Sequence, residues 1–254
     1  MEPTPWAWSP AWLEIAVVLL LGGVYLASQR RYPASTPRRI TFFAGVGMLL
    51  LVFVTPVETI ATTYLLSAHL IQNVVVAEWA AALLVLGIPP ALAASIARLS
   101  GVRALTSPYV ALPLWVATYA VWHAPPLYDA ALRHQAWLLP LEHASYLVAG
   151  LLLWWPVFQS VPRALGAGAK AAYVFAAFLL NSPIGLLLAL LPSPVYGFYE
   201  AAPRIWGLTA LRDQQLSGVL MAGAEAILFF AVFAVYFRRF LIEEDRVGAD
   251  AAET

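Results

Sequence analysis

Cysteine is absent from this chain of 254 residues, and lysine occurs once, at Lys170. The first absence excludes disulfides, thiolate nucleophiles and Cys-ligated metal centres, so a metal would have to be held by imidazole, carboxylate, amide or thioether groups. The second, combined with a net charge of zero, leaves no basic field and excludes nucleic-acid binding. It also excludes a retinal protein, which needs a lysine inside the bundle for its Schiff base. Lys170 stands at the edge of a hydrophobic stretch, and the final stretch contains no lysine. Charge of either sign is scarce, at 11% of residues against about 25% in soluble domains. Phosphate-loop, GxSxG, HExxH and EF-hand patterns are missing, and GAGAK at 166–170 lacks the Walker spacing.

Apolar sequence fills the space left by charge: 62% of residues are hydrophobic and the mean hydropathy is +0.77. A bilayer core about 30 Å thick is crossed by about 20 apolar helical residues. Stretches of that kind lie near 11–28, 39–56, 64–88, 108–124, 136–158, 170–191 and 214–237. The third continues apolar to Ala97, but Pro89 and Pro90 end it near Ile88 and leave 89–99 as a short helix or loop along the inner face. The expected fold is all-α, a polytopic transmembrane bundle of seven spans forming one domain over 1–242. A disordered cytoplasmic tail is expected over 243–254. No basic region precedes the first apolar run, so that run is expected to stay in the mature protein.

Arginines set the orientation, because short loops rich in Lys and Arg stay cytoplasmic. Arg30, Arg31, Arg38 and Arg39 follow the first stretch, Arg98 and Arg103 the third, Arg163 and Lys170 flank the loop after the fifth, and Arg238, Arg239 and Arg246 follow the seventh. The N-terminus is therefore expected outside and the C-terminus inside. Trp6, Trp8, Trp12, Trp122 and Trp137 then fall on the outer side as interfacial anchors.

The same orientation collects all the histidines near the outer face: His69, His123, His134 and His143. His69 and Asn73 share a helix face, four residues apart. Glu142 and His143 open the fifth stretch at the depth of His69, and because adjacent positions point about 100° apart only one of them need face it. His123 ends the fourth stretch, and His134 reads as a solvated loop residue. Polar groups in lipid face the bundle interior or a wet cavity, so imidazoles at one depth on several helices point to a shared site for copper, zinc or iron. Glu142 and Asp213 are candidates for oxygen ligation or for orienting the rings. Asp213 also reads as the N-cap of the last helix, and Met221 as packing or a thioether ligand. Glu78 and Glu225 fall near mid-membrane, where a carboxylate must be protonated or paired; they read as a polar pathway or an interhelical hydrogen bond. Asn181, Ser182 and Pro183 predict a kink with freed carbonyls in the sixth stretch.

AHLIQNVVVAEWAAALLVLGIPP resembles the third-span signature of the CtaG-type cytochrome c oxidase assembly factors, in which a His, Gln, His run precedes an apolar stretch ending in Gly and Pro. WHAPPLYDAAL, LEHASYLVAGLLLWWPV and YGFYEAAPRIWGLTALRDQQLSGVLM resemble the blocks that follow, in order from about residue 64 to 222. The resemblance implies a multi-pass protein of the bacterial plasma membrane that helps build a haem-copper oxidase and helps copper reach it. The motif positions are His69, His123, Glu142, His143, Asp213 and Gln214. One departs from the pattern: Asn73 stands where the family has a second His, and an amide is a poor copper ligand beside imidazole.

These readings combine into a non-enzymatic assembly factor that holds copper transiently near the outer face and docks on an oxidase subunit. His69, His143 and His123 are its candidate ligands, with Glu142 and Asp213 in support. The alternatives are a membrane cytochrome with haem between histidines on facing helices, a small-solute or ion transporter built around Glu78 and Glu225, and a metal-free structural partner of an oxidase.

Overall fold

A computed structural model describes the backbone of residues 3–252 and the side chains of residues 3–246. The described residues form helices and connecting turns, with no strand among them. In chain order these are α1 Trp12–Ser28, α2 Thr36–Val54, α3 Pro56–Thr63, α4 Leu66–Gly87, α5 Pro90–Ile96, α6 Ser100–Leu105, α7 Pro108–Trp122, α8 Pro125–Arg133, α9 Leu138–Phe158, α10 Ala167–Leu190, α11 Gly197–Ala201 and α12 Ala210–Ala252. Proline stands in the first helical positions of α2, α3, α5, α7 and α8, where its missing N–H costs nothing and its fixed φ suits the turn.

Five of these helices, α2, α4, α9, α10 and the Ala210–Arg246 part of α12, are long and apolar enough to cross a membrane, and α1 is a shorter apolar helix. The distribution of side chains is that of a bundle immersed in lipid. Leu179, Leu180, Leu186 and Leu187 of α10, with Val219 and Ile227 of α12, face outward, while His69, Glu78, Glu142, Asn181 and Glu225 are buried.

The central element is α4, the most enclosed of the five. Ala77, Ala80, Ala81 and Ala82 keep its surface small, so α2 and α9 approach closely. Gly150 of α9 sits against the Ala77 carbonyl with no room for a Cβ. The helix is not uniform: Val75–Ala80 forms a π-helical turn between α-helical segments, and Glu78 lies in it. π-turns of this kind recur at functional sites. The most extensive helix pairing is α10 with α12. There Gly218 lies on the Gly185 carbonyl and Ala222 beside it, a seam of small residues that lets the two helices approach closely.

Each apolar stretch read from the sequence is helical, and α4 ends at Gly87, one residue before the expected boundary. Three details differ. α10 runs without interruption through Pro183, with the Ser182 hydroxyl donating to the Phe178 carbonyl at 2.7 Å. Trp122 is buried and donates its indole N–H to Ser145 Oγ at 2.6 Å, so it is a packing residue instead of an interfacial anchor; Trp6, Trp8, Trp12 and Trp137 are exposed. Finally, α12 continues to Ala252 through most of the segment expected as a tail, in keeping with its Glu, Arg and Ala content. Residues 253–254 of that segment lie outside the described residues.

Candidate functional site

At the end of the bundle where α1, α4 and α9 begin, the helices enclose a polar cluster. His69 on α4 is fully buried. Its Nδ1 lies 2.9 Å from the Tyr199 hydroxyl of α11. That hydroxyl has one hydrogen and donates it to the Ala61 carbonyl, so Nδ1–H must be the donor to Tyr199. The proton on Nδ1 leaves Nε2 with a free lone pair. Nε2 faces Glu142 of α9, 3.7 Å from its Oε1, and has no hydrogen-bond partner.

The same logic applies twice more. His143 of α9 places Nδ1 3.1 Å from Glu14 Oε1 of α1, a carboxylate that can only accept, and its Nε2 is unpartnered. His123, at the end of α7, places Nδ1 2.9 Å from the Tyr119 carbonyl, and its Nε2 is also unpartnered. Three buried imidazoles thus have Nδ1 anchored and Nε2 unpartnered, the arrangement of metal-binding histidines; His143 offers its Nε2 lone pair in the neutral form. The His69 and His143 rings are 6.0 Å apart, edge to face. His123 joins through an aromatic neighbour: Tyr128 of α8 packs 5.2 Å from His69 and 5.9 Å from His123.

Both members of the Glu142–His143 pair reach His69, where the sequence required only one. Asn73 donates Nδ2 to Glu142 Oε1 at 3.0 Å, so it positions the carboxylate that faces His69. Glu142 Oε2 is left unpartnered.

Two acids not anticipated from the sequence complete the cluster. Glu14 orients His143. Glu58, on α3, accepts from Gln72 Nε2 at 2.5 Å. Burial pushes the Glu58 carboxyl up to about 7, against the opposing pull of His143 and the Gln72 hydrogen bond. A cavity of about 280 Å³ lined by Glu14, Glu58, Thr62 and Gln135 opens beside them and gives the cluster an approach from the bundle end. Burial also raises the Tyr199 and Tyr128 phenols, with Glu142 adding to the shift, which keeps Tyr199 protonated as a donor to Ala61.

Other sequence candidates take different places. Asp213 of α12 is not a member of the cluster. Its Oδ2 accepts from Leu66 N at 2.7 Å, and its Oδ1 from Ser67 N at 3.1 Å and Ser67 Oγ at 2.6 Å. It caps α4 rather than its own helix, and these donors occupy the oxygens a metal would need. Gln214 accepts from Val195 N and donates to the Ser193 carbonyl, tying the loop after α10. Met221 is buried in the apolar core, and His134 is exposed in the loop after α8. Among the described residues, no three His, Asp or Glu side chains are grouped so as to hold a metal ion as they stand.

Outward apolar faces and an enclosed cluster of imidazoles and carboxyls define a helical membrane protein with a polar chamber at one bundle end. The chain belongs to the cytochrome c oxidase caa3 assembly factor family, whose model matches residues 18–242. It is similar to uncharacterised proteins of Mycobacterium bovis and Mycobacterium tuberculosis, each 25% identical over 240 residues, a match covering 85% of this chain and 36% of theirs. The chain thus spans about a third of the length of these curated relatives. No solved structure matches it.

Proposed function

We propose that this protein is a seven-span, non-enzymatic factor of the bacterial plasma membrane. In this reading its N-terminus is outside, and it carries copper as cargo at the His69–His143 pair and delivers it to a haem-copper oxidase subunit docked at the outer face. The observation that supports the copper reading is the set of bare Nε2 atoms on buried, Nδ1-anchored imidazoles. Imidazole suits copper, and a buried lone pair without a partner is costly unless something occupies it. His69 and His143 are the primary holders, Glu142 is the adjacent carboxylate, and His123 is a further imidazole beyond Tyr128. Asp213 is left out because α4 occupies it. Glu14 and Tyr199 fix the rings, and the cavity beside Glu58 is the route of access.

The test is copper retention by the purified protein after loading with Cu(I) and washing, run with oxidase activity in cells. Wild type is expected to retain stoichiometric copper, and His69→Ala and His143→Ala to lower affinity by about 10–100-fold, the scale seen even for residues that only support a metal site. Copper absent from wild type, or retention unchanged in both variants, would refute the metal role. A metal-free structural partner is the second reading, favoured by the lack of three converging ligands among the described residues. Its signature is oxidase assembly that depends on the chain while the chain holds no copper.

A further inference from the structure

A second polar cluster lies deeper on α4, independent of the copper reading. Glu78 sits nine residues beyond His69, about 13 Å along the helix at 1.5 Å per residue, and is fully buried in the π-turn. Tyr119 of α7 donates its hydroxyl to Glu78 Oε1 at 2.8 Å, while Oε2 has no partner. Glu225 of α12 is also fully buried and lies across the helix interface from Glu78. The neighbouring backbone confirms the juxtaposition, since the Trp79 indole donates to the Ala224 carbonyl at 3.3 Å. Asn181 of α10 faces Glu225, yet neither polar atom of its side chain and neither Glu225 oxygen completes a hydrogen bond.

Tyr119 and Tyr146 face the pair from α7 and α9, and Asn181 from α10. Neither carboxyl forms an ion pair among the described residues. Two adjacent carboxylates inside a low-dielectric bundle cannot both be ionised, and hydrogen bonding between them needs one donor. A single proton supplies that donor, and the unpartnered oxygens of Glu78 and Glu225 are the acceptors available to it.

We propose that Glu78 and Glu225 share one proton, forming an intramembrane proton-binding site framed by Tyr119 and Asn181 and separate from the His/Glu cluster. The proton belongs to the pair, so its uptake and release are read for the two carboxyls together. This assigns Asn181 a partner role toward Glu225 and gives the π-turn a purpose, since it turns the Glu78 side chain toward α7 and α12 at one level.

The test uses the full chain in detergent, labelled with dicyclohexylcarbodiimide, which reacts with protonated buried carboxyls, and read by mass spectrometry across pH. Wild type is expected to label at pH 7 with one adduct on the Glu78–Glu225 pair, located by peptide mapping and distributed over the two residues, while exposed Glu200 and Glu243 stay unlabelled. In Glu78→Gln the labelling midpoint of Glu225 should fall by at least about one pH unit, a tenfold loss of proton affinity. Glu225→Gln should do the same to Glu78. Two adducts on the pair, no labelling of the pair at pH 7, or a midpoint unmoved by loss of the partner would each overturn the shared proton. The wild-type adduct count decides the matter even where a variant fails to fold.

Discussion

The two polar clusters hang from the same helix, are equally buried, and differ in what their neighbours contribute. Around His69, each imidazole is met by an oxygen that takes its Nδ1 proton: Tyr199, Glu14 or the Tyr119 carbonyl. The result is a set of lone pairs beside a cavity. Around Glu78 the neighbours are another acid, a phenol and an amide, and the atoms left over are carboxyl oxygens. Burial alone therefore does not define a site's chemistry. The same helix presents a metal donor set at one end and a proton acceptor at mid-depth because α1, α7 and α11 supply acceptors to histidine, whereas α10 and α12 supply no base to glutamate.

The largest way to break this contrast is at the frame. Asp213 satisfies two backbone N–H groups and a hydroxyl at the start of α4, all buried. Asp213→Ala leaves them unpaired, at about 1–3 kcal/mol per group. A large drop in the unfolding temperature in detergent is expected, with Asp213→Asn losing less because an amide oxygen still accepts. Retained copper in the folded Asp213→Asn protein should equal wild type. If copper disappears while the fold persists, Asp213 is a ligand and its assignment as a cap is incomplete.

A smaller effect separates the clusters directly. His69→Ala should lower copper affinity about 10–100-fold and leave the carbodiimide adduct count unchanged, whereas Glu225→Gln should shift labelling and leave copper retention unchanged. Crossed effects in either direction would show that the chambers form one coupled network, joined through Tyr119, Tyr146 and His123, whose rings pack within 6 Å of one another along that line.

What the sequence made legible followed local periodicity. The apolar stretches, the break at Pro89, and the shared face of His69 and Asn73 each depend on residues within a few positions, and the helices fall where those patterns put them. Depth matching across stretches also brought His69 and His143 together correctly. What escaped were partnerships set by packing. Glu14 drew no reading from its local sequence, since its partner His143 is 129 positions away. Asp213 carried a strong capping signal, but the helix it caps begins 147 positions earlier. Asn73 looked like a lost ligand because composition cannot reveal that its amide points at Glu142. Hydrogen-bond partners between helices leave no trace in a single chain's spacing, since any helix face can meet any other.

The finest distinction between the clusters concerns exchange with solvent, and Glu58 reports it. Its carboxyl lines the cavity at the bundle end, and burial lifts it to about 7, from 4.5. Between those values the folded chain holds a proton that the unfolded chain has released, so the contribution of this group to stability falls as pH rises from about 4.5 to 7 and is flat above that window. The slope is at most about 1.4 kcal/mol per pH unit. Glu58→Gln keeps an acceptor for the Gln72 amide and removes the titration. Melting curves in detergent at pH 5, 6, 7 and 8 should therefore show wild type losing stability relative to the variant from pH 5 to 7 and running parallel from pH 7 to 8. Parallel curves throughout would mean that Glu58 is ionised in the folded protein at pH 5. Its oxygens would then add negative charge beside His143, making the chamber a stronger attractor for cations than its burial implies.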